Sequence, residues 1–528
     1  MASPDYIFVG SGINALVAAS LLARKGRKVL ILERNAEIGG CLRSEEIIAP
    51  GFVHDVMATT FVLFITSPAY AALAEDLGKR GLEFCHTDTP SGVLLPDGRS
   101  LILTKDHAKN ISAFESLCTG DGASFSRDVG SVGRDAPLLF SLLGNDLWSF
   151  GTAKLLAKEL WARGARGLAG FFGEALVPAR NWLESTYGSE VSRAMFAPWV
   201  LHTGLGPESS YSGQMGKIIA FALEAAGAPI VKGGAIMAVQ AFSKLIEDHG
   251  GNIRTHAEVA AILRDKKGAA CGVRLSDGTD IFSGSGVIAS TTPDQLYQNL
   301  LADLPLPLEK QATRTYRYGK GNMQIHYALK TPPKWKSEQA AELAKVALLH
   351  LTPGLDGVSR ASNECERSML PAVPTICVGQ PHALDTSRCP EGAAILWLQL
   401  PETPRFLKGD AADEIDIPAD GQWTPALREA YADRVEAILA HHIENFADIV
   451  VGRKAYSPAD LERMNGNLVG GDPYGGYCGL DQFFLWRPFK HSRNHETPVP
   501  KLYHIGASTH PGPGLGAGSG FIIGHQLP

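Results

Sequence analysis

Tyr6-Ile7-Phe8-Val9-Gly10-Ser11-Gly12-Ile13-Asn14-Ala15 is followed by an apolar, alanine-rich run from Leu16 to Ala23, and then by Lys28-Val29-Leu30-Ile31-Leu32-Glu33. The reading of this stretch decides the fold. The first four residues are a continuous apolar run of the length expected for a buried parallel strand. The next six are a GxGxxA turn that opens a helix, and the second apolar run is the next parallel strand, closed by an acid. In that context the pattern is a dinucleotide-binding βαβ unit. Gly10 permits the tight turn. Gly12 has no side chain to hold a pyrophosphate away from the backbone, and Ala15 lets the helix sit close to the strand. The helix start offers unpaired N–H groups and partial positive charge to phosphates. Glu33, about twenty residues on, is placed to accept hydrogen bonds from ribose hydroxyls.

Working outward, Arg34-Asn35-Ala36-Glu37-Ile38 leads to Gly39-Gly40-Cys41-Leu42-Arg43-Ser44. A glycine pair six residues beyond the ribose acid, with Arg43 and Ser44 after it, brings backbone back to the same pyrophosphate from the other side. An NAD dehydrogenase needs no second approach, so the pattern selects FAD in an extended form. Cys41, beside the glycine pair, reads as a small packing residue and not as a covalent flavin link. The stretch from Ala49 to Thr60 reads as a loop passing beneath a ligand.

Length and composition bound the rest. A chain of 528 residues exceeds one simple core and implies about two to four domains. Hydrophobic content of 45% and charged content of 20% are those of a globular enzyme. A net charge of −6 gives no electrostatic footprint for nucleic acid. The eight cysteines are scattered singly at 41, 85, 118, 271, 365, 377, 389 and 478, without a CxxC. That usage fits reduced thiols in a cytoplasmic compartment, and no metal-ligand spacing is expected. The first strand begins at Tyr6, which leaves no room for a signal peptide. The apolar run from Ile13 to Ala23 is too short to span a bilayer.

Beyond the opening unit, Leu82 to Asp88 and Gly92 to Thr104 read as strands, the second folded on itself at Asp97-Gly98. Residues 108–226 carry a helical pattern. Their aromatic segments, Leu147-Trp148-Ser149-Phe150 and Gly170-Phe171-Phe172, read as core. Near Pro229 the chain returns to the nucleotide fold: a helix from Ala235 to Asp248, a strand at Ile253, then a small antiparallel insert from Glu258 to Thr279. Val287-Ile288-Ala289-Ser290 rejoins the parallel sheet, and Val259 offers backbone to the adenine edge. Residues 301–454 are α+β in pattern, with Gln324–Leu329 and Ala394–Leu400 as strands. The expectation is a discontinuous enzyme. Segments 1–85, 227–300 and 455–528 make a Rossmann-type, glutathione-reductase-like FAD domain. Segments 86–226 and 301–454 make an α+β substrate domain.

The tail carries a second signal. Asn465 to Asp472 is a glycine-rich loop, and Leu480-Asp481-Gln482 and Leu485-Trp486-Arg487-Pro488 follow it. A strand at Leu502–Ile505 ends in Gly506-Ala507-Ser508-Thr509-His510-Pro511-Gly512, and small residues from Leu515 to Gly520 open a helix. Backbone at Gly506 and Ala507 would face the pyrophosphate. The helix opening near Leu515 and Gly516 would aim its N-terminus at the flavin edge where charge builds on reduction.

With Ser44-Glu45-Glu46, Pro50-Gly51-Phe52, Gly470-Gly471-Asp472 and Asp481-Gln482, these motifs resemble the phytoene desaturase and carotenoid isomerase type of FAD oxidoreductases, within the amine-oxidase-like flavoprotein superfamily. The resemblance is strongest at 5–60, 229–294 and 464–522. The chain departs from it at Gly512-Pro513-Gly514, where relatives carry a glycine pair, and at Val56–Thr60, which lacks a glycine-histidine. The resemblance implies hydride transfer from a substrate C–H to flavin N5. The expected cofactor-lining residues are Gly10, Gly12, Ile13, Asn14, Ala15, Glu33, Arg34, Gly39, Gly40, Arg43, Ser44, Thr59, Thr60, Val259, Gly506, Ala507, Leu515 and Gly516. A largely apolar small molecule is the expected substrate, held between 86–226 and 301–454, with dioxygen or a quinone taking the electrons and peripheral membrane contact possible. An amine or alcohol oxidase would instead need a polar pocket with a base from His202, Tyr474, His504 or His510; His510, in the flavin-facing loop, is the candidate catalytic residue. The same fold also serves non-catalytic escort proteins for lipidated partners, which the complete tail segment disfavours.

Overall fold

The computed structural model describes residues 3–302, 314–493 and 495–528. Two sheets organise it. The first is a parallel sheet of five strands in spatial order Leu502–Ile505, Gly286–Ser290, Tyr6–Val9, Val29–Leu32, Asn252–Arg254. All four residues of Tyr6–Val9 and of Val29–Leu32 are buried, as expected of strands covered on both faces. The antiparallel insert forms a separate three-stranded sheet, Val259–Arg264, Ala270–Leu275 and Asp280–Phe282. The glycine-turn helix Ile13–Arg24 packs beneath the parallel sheet against the tail helix Gly518–Gln526. Gly520 is required at that crossing, because a Cβ there would drive into the Asn14 backbone.

The second sheet has seven strands, in order Val450–Tyr456, Gly321–Leu329, Ala394–Thr403, Ile376–Gly379, Leu348–Leu351, Ser91–Leu94, Ser100–Leu103. The Asp97-Gly98 turn makes the hairpin of its last two strands. Alternation divides its faces. One face, with Ile325, Tyr327, Leu396, Leu398, Val378 and Leu349, packs on the helix Pro425–His442 in a continuous apolar core. The other carries Gln324, His326, Trp397, Gln399, Cys377 and His350, and lies toward the helices of residues 107–226. Among these, Glu190–Leu201 forms the roof above the sheet; its Trp199 Nε1 donates to Ser91 Oγ at 2.8 Å.

Three expectations are corrected. The strand at Leu82–Asp88 is reduced to Phe84–Cys85, which pairs with Ile230–Val231. The boundary at 454/455 cuts through the edge strand Val450–Tyr456, which belongs to the seven-stranded sheet. The aromatic segments expected in the core are largely outside it: Trp148 is 55% exposed, Phe150 86% and Phe172 43%.

Candidate functional site

The two glycine approaches meet as the sequence predicts. Gly12 and Gly39 form an isolated parallel bridge, and Gly40 lies against the Gly12 backbone. Gly10 has φ +89° and Gly506 φ +116°, conformations that side chains resist. The glycine-turn helix starts at Gly12 without a side-chain cap and without an acid in its first turn. Its first N–H groups are thus left for an anion. A Cβ at Gly12 would meet nothing within 4 Å, so the space beside this helix start is open. A pyrophosphate fits that cradle.

Around it, several side chains expected to face the cofactor have protein partners. Glu33 Oε2 accepts from Ser11 Oγ at 2.6 Å and Ser11 N at 3.2 Å, and its Oε1 accepts from Asn35 N. Ser11 Oγ also accepts from Gly39 N, locking the two glycine loops together. The backbone on both sides of Glu33's carboxylate is fixed too: Glu33 N donates to Arg254 O and Ala257 N to Glu33 O, which brings the start of the Val259 strand beside the ribose acid. Arg34 is exposed and lies against Gly466. Ile13 and Ala15 are buried in the helix packing. Asn14 Oδ1 accepts from Ser519 Oγ at 2.9 Å and Gly520 N at 3.1 Å, so its side chain holds the tail helix. Gly506 N donates to Ser519 Oγ, and Ala507 O accepts from the buried Arg487. The tail helix opens at Gly518, so Leu515 and Gly516 lie in the preceding turn, Gly516 against the Leu63 backbone. This corrects the expected start. The Gly518 helix likewise has no side-chain cap.

The loop expected beneath the flavin is braced by a network that residue spacing did not reveal. Arg388, fully buried, donates to Asp55 Oδ2 at 2.9 Å and to Asp385 Oδ2 at 3.1 Å. Burial alone would lower its pKa; the two carboxylates more than offset that and hold it above its ordinary value. Asp55 also accepts from Ser44 Oγ (2.6 Å), Thr59 Oγ1 (2.9 Å) and Ala235 N (2.8 Å). Ser44 and Thr59 are therefore positioning residues for this loop. Arg43 pairs with Glu45, and Thr60 bridges to Ile230. The polar face of the seven-stranded sheet abuts the same loop: Trp397 Nε1 donates to Met57 O at 2.9 Å, and His326 Nε2 lies 3.3 Å from Val56 O.

The four candidate bases differ. Tyr474 OH donates to Leu201 O, and His504 Nε2 bonds Thr291 O. His202 caps the roof helix with its Nε2 3.0 Å from His350 Nε2. His510 Nε2 bonds Asn145 O at 2.9 Å, while its own carbonyl accepts from His495 Nε2. Burial, reinforced by the nearby His495, pulls its pKa down to about 4, so the ring is neutral at pH 7. Among the described residues its Nδ1 has no hydrogen-bond partner.

Residues 16–366 match the model of the family described as flavin containing amine oxidoreductase. The chain belongs to this family: it is a flavin-dependent oxidoreductase, and FAD is its cofactor. Among curated relatives it is similar to pyridine nucleotide-disulfide oxidoreductase domain-containing protein 2 of Rattus norvegicus, 26% identical over 99% of this chain and 92% of that one. It is also similar to one of the polypeptides of the limonene dehydrogenase of Castellaniella defragrans, 24% identical over 98% and 93% of the two chains. A 4,4'-diapophytoene desaturase of Staphylococcus aureus is 24% identical over 96% and 95%. The expected desaturase-type resemblance is thereby borne out.

Proposed function

We propose that this enzyme dehydrogenates a largely apolar small molecule drawn from a lipid surface, bound between the 86–226 and 301–454 segments. When bound, the flavin would supply a hydride acceptor for a substrate C–H, with dioxygen or a quinone as the class of oxidant that restores it. The protein orients and encloses. Trp397 and His326 anchor the sheet to the Val56-Met57 backbone, and the buried apolar cluster of Trp199, Leu348, Tyr474 and Phe483 excludes water. His510 is a positioning residue: it ties the tail loop to Asn145 and presents an uncharged ring. The uncapped Gly518 helix start favours negative charge at the flavin edge.

The observation that carries the reading is the outer helical segment Phe150–Ala175, which breaks at Gly164 (φ +69°), and in particular its first stretch before that break. Before that break it turns large apolar side chains outward. Thr152 is buried, and Glu159 pairs inward with Arg163, which also binds Asp135. Phe150, Leu160 and Trp161, the last 90% exposed, lie on the outer side, with Lys154 and Lys158 flanking them. Aromatic and aliphatic side chains flanked by lysines are the composition of an interfacial helix. Among the described residues no helix is long and apolar enough to cross a membrane. The junction before this helix meets the tail, through His510 to Asn145 and Gln526 Nε2 to Asp146 Oδ2. An apolar substrate leaving lipid there would arrive beside the loop that faces the flavin. The limonene dehydrogenase and diapophytoene desaturase relatives are likewise named for hydrocarbons.

The test uses an isoprenoid alkene carried either in anionic vesicles or in detergent. F150E/W161E should lose vesicle binding and slow flavin bleaching by the vesicle-borne alkene at least tenfold, with detergent-borne alkene unaffected. Equal loss in both carriers, or unchanged vesicle binding, would overturn the lipid route.

A further inference from the structure

We propose that His202, His350 and Cys377 bind one ion of the zinc class between the end of the roof helix and the seven-stranded sheet. His350 and Cys377 are direct cross-strand partners on the Leu348–Leu351 and Ile376–Gly379 strands. Both point from the polar face toward the roof helix, whose C-terminal residue supplies the third group, His202. The two Nε2 atoms are 3.0 Å apart, and one ring nitrogen of each histidine lies with Cys377 Sγ within 4.8 Å of one another. A tetrahedral zinc ion with bonds of about 2.0 Å to nitrogen and 2.3 Å to sulfur separates these donors by roughly 3.3–3.5 Å, so side-chain movements of roughly 1 Å close this set on an ion. Two imidazoles and one thiol are the donor types that select zinc or copper(I) over magnesium or calcium. His350 and Cys377 are buried, and the Trp199 ring packs on both imidazoles with centroids 4.8 and 4.9 Å away, fixing their orientation.

The competing account is a single N–H···N hydrogen bond between two neutral histidines. It uses one proton and gives Cys377 no part, and among the described residues His350 Nδ1 has no hydrogen-bond partner in either account. Binding zinc forms one Zn–S and two Zn–N bonds and releases the thiol proton to water, with no change of oxidation state. The ion cross-links the roof helix to two strands, and three protein ligands leave a fourth position open. It lies apart from the glycine turns that hold the flavin, so the proposal stands independently of the substrate reading.

The test uses the FAD-loaded enzyme stripped with EDTA, with zinc titrated against a chromophoric chelator. One ion per chain is expected, with X-ray absorption showing one sulfur and two imidazole nitrogens around it. C377S should weaken binding at least tenfold, and H350A/C377A should abolish it, while H441A, at an exposed histidine elsewhere, should change nothing. Flavin content and the metal-free melting temperature check that each variant folds; should the sheet variants fail that check, H202Q at the helix end provides the second reading and should also weaken binding tenfold. No competition with the chelator, a sulfur-free ion, or binding untouched by H202Q and H350A/C377A would overturn the proposal.

Discussion

Gly12→Val separates the cofactor cradle from the stability of the fold. Gly12 has φ −63° and ψ 168°, which any L-residue adopts, and an added Cβ would meet nothing within 4 Å. The flavin-free variant should therefore fold with a stability within about 1 kcal/mol of the flavin-free parent. The valine methyls would occupy the space where we place the pyrophosphate, and the backbone N–H groups at the helix start would lose their anion. A hydrogen bond to a charged group contributes about 1.5–3 kcal/mol. Losing two costs about 3–6 kcal/mol, which at 1.4 kcal/mol per tenfold is roughly 10²–10⁴ in FAD affinity. The assay is the flavin-to-protein ratio after gel filtration, with urea unfolding of the flavin-free proteins alongside. Gly520→Ala is the contrasting case, because its Cβ would collide with the Asn14 backbone, and it should lower stability directly. A Gly12→Val protein that keeps full flavin would refute the placement of the cofactor.

Removing Asp55 as D55A leaves Arg388 buried with one carboxylate and strips the partners of Ser44, Thr59 and Ala235; a loss of about 3–5 kcal/mol in urea unfolding is expected, together with weaker flavin retention. Burial lowers the pKa of His54, His382, His495, His504 and His510 to about 4, and that of His326 to about 3. Since the unfolded chain binds protons first, near pH 6.5, stability should be complete above that pH and fall as pH drops from 6.5 toward 4. Each histidine contributes about 1.4 kcal/mol of loss at pH 5.5, and melting temperatures across pH 5 to 7.5 read the slope. His510→Ala should slow flavin reduction more than it weakens substrate binding. Unchanged reduction kinetics with flavin fully bound would leave His510 a purely structural link to Asn145.

Much of the geometry around the glycine turns was legible because its signals are local. A glycine turn, a helix start and an acid at the end of the next strand lie within thirty residues, and the backbone geometry of each is imposed by steric limits on its neighbours. The antiparallel insert and the returning strand Gly286–Ser290 were readable for the same reason, from turn residues and apolar runs. The brace under the flavin loop was not. Asp55 and Arg388 are 333 positions apart, and neither sits in a pattern that distinguishes a buried ion pair from a solvated charge. The His350–Cys377 pair depends on strand register, which single-strand patterns do not carry. The tail helix start was placed too early, because a run of small residues has no apolar period to mark its first turn. The outer segment misled in the opposite sense: Phe150 and Trp161 lie on the outer side before the break at Gly164, with the Glu159–Arg163–Asp135 ion pairs turned in.

The central claim is that electrons enter this flavin from the C–H bond of an apolar substrate and not from a nicotinamide. Anaerobic stopped-flow mixing of the FAD-loaded enzyme tests it, with isoprenoid alkenes, amines, alcohols, NADH and NADPH offered separately. Among the described residues one glycine fingerprint of the dinucleotide type is present, and Gly286–Ser290 runs into Thr291-Thr292-Pro293 without a second glycine turn. The account predicts bleaching of the flavin by at least one alkene, with formation of a new C=C bond, and none on the same timescale by either nicotinamide. Rapid stoichiometric bleaching by NADH or NADPH, or bleaching by amines or alcohols alone, would contradict it.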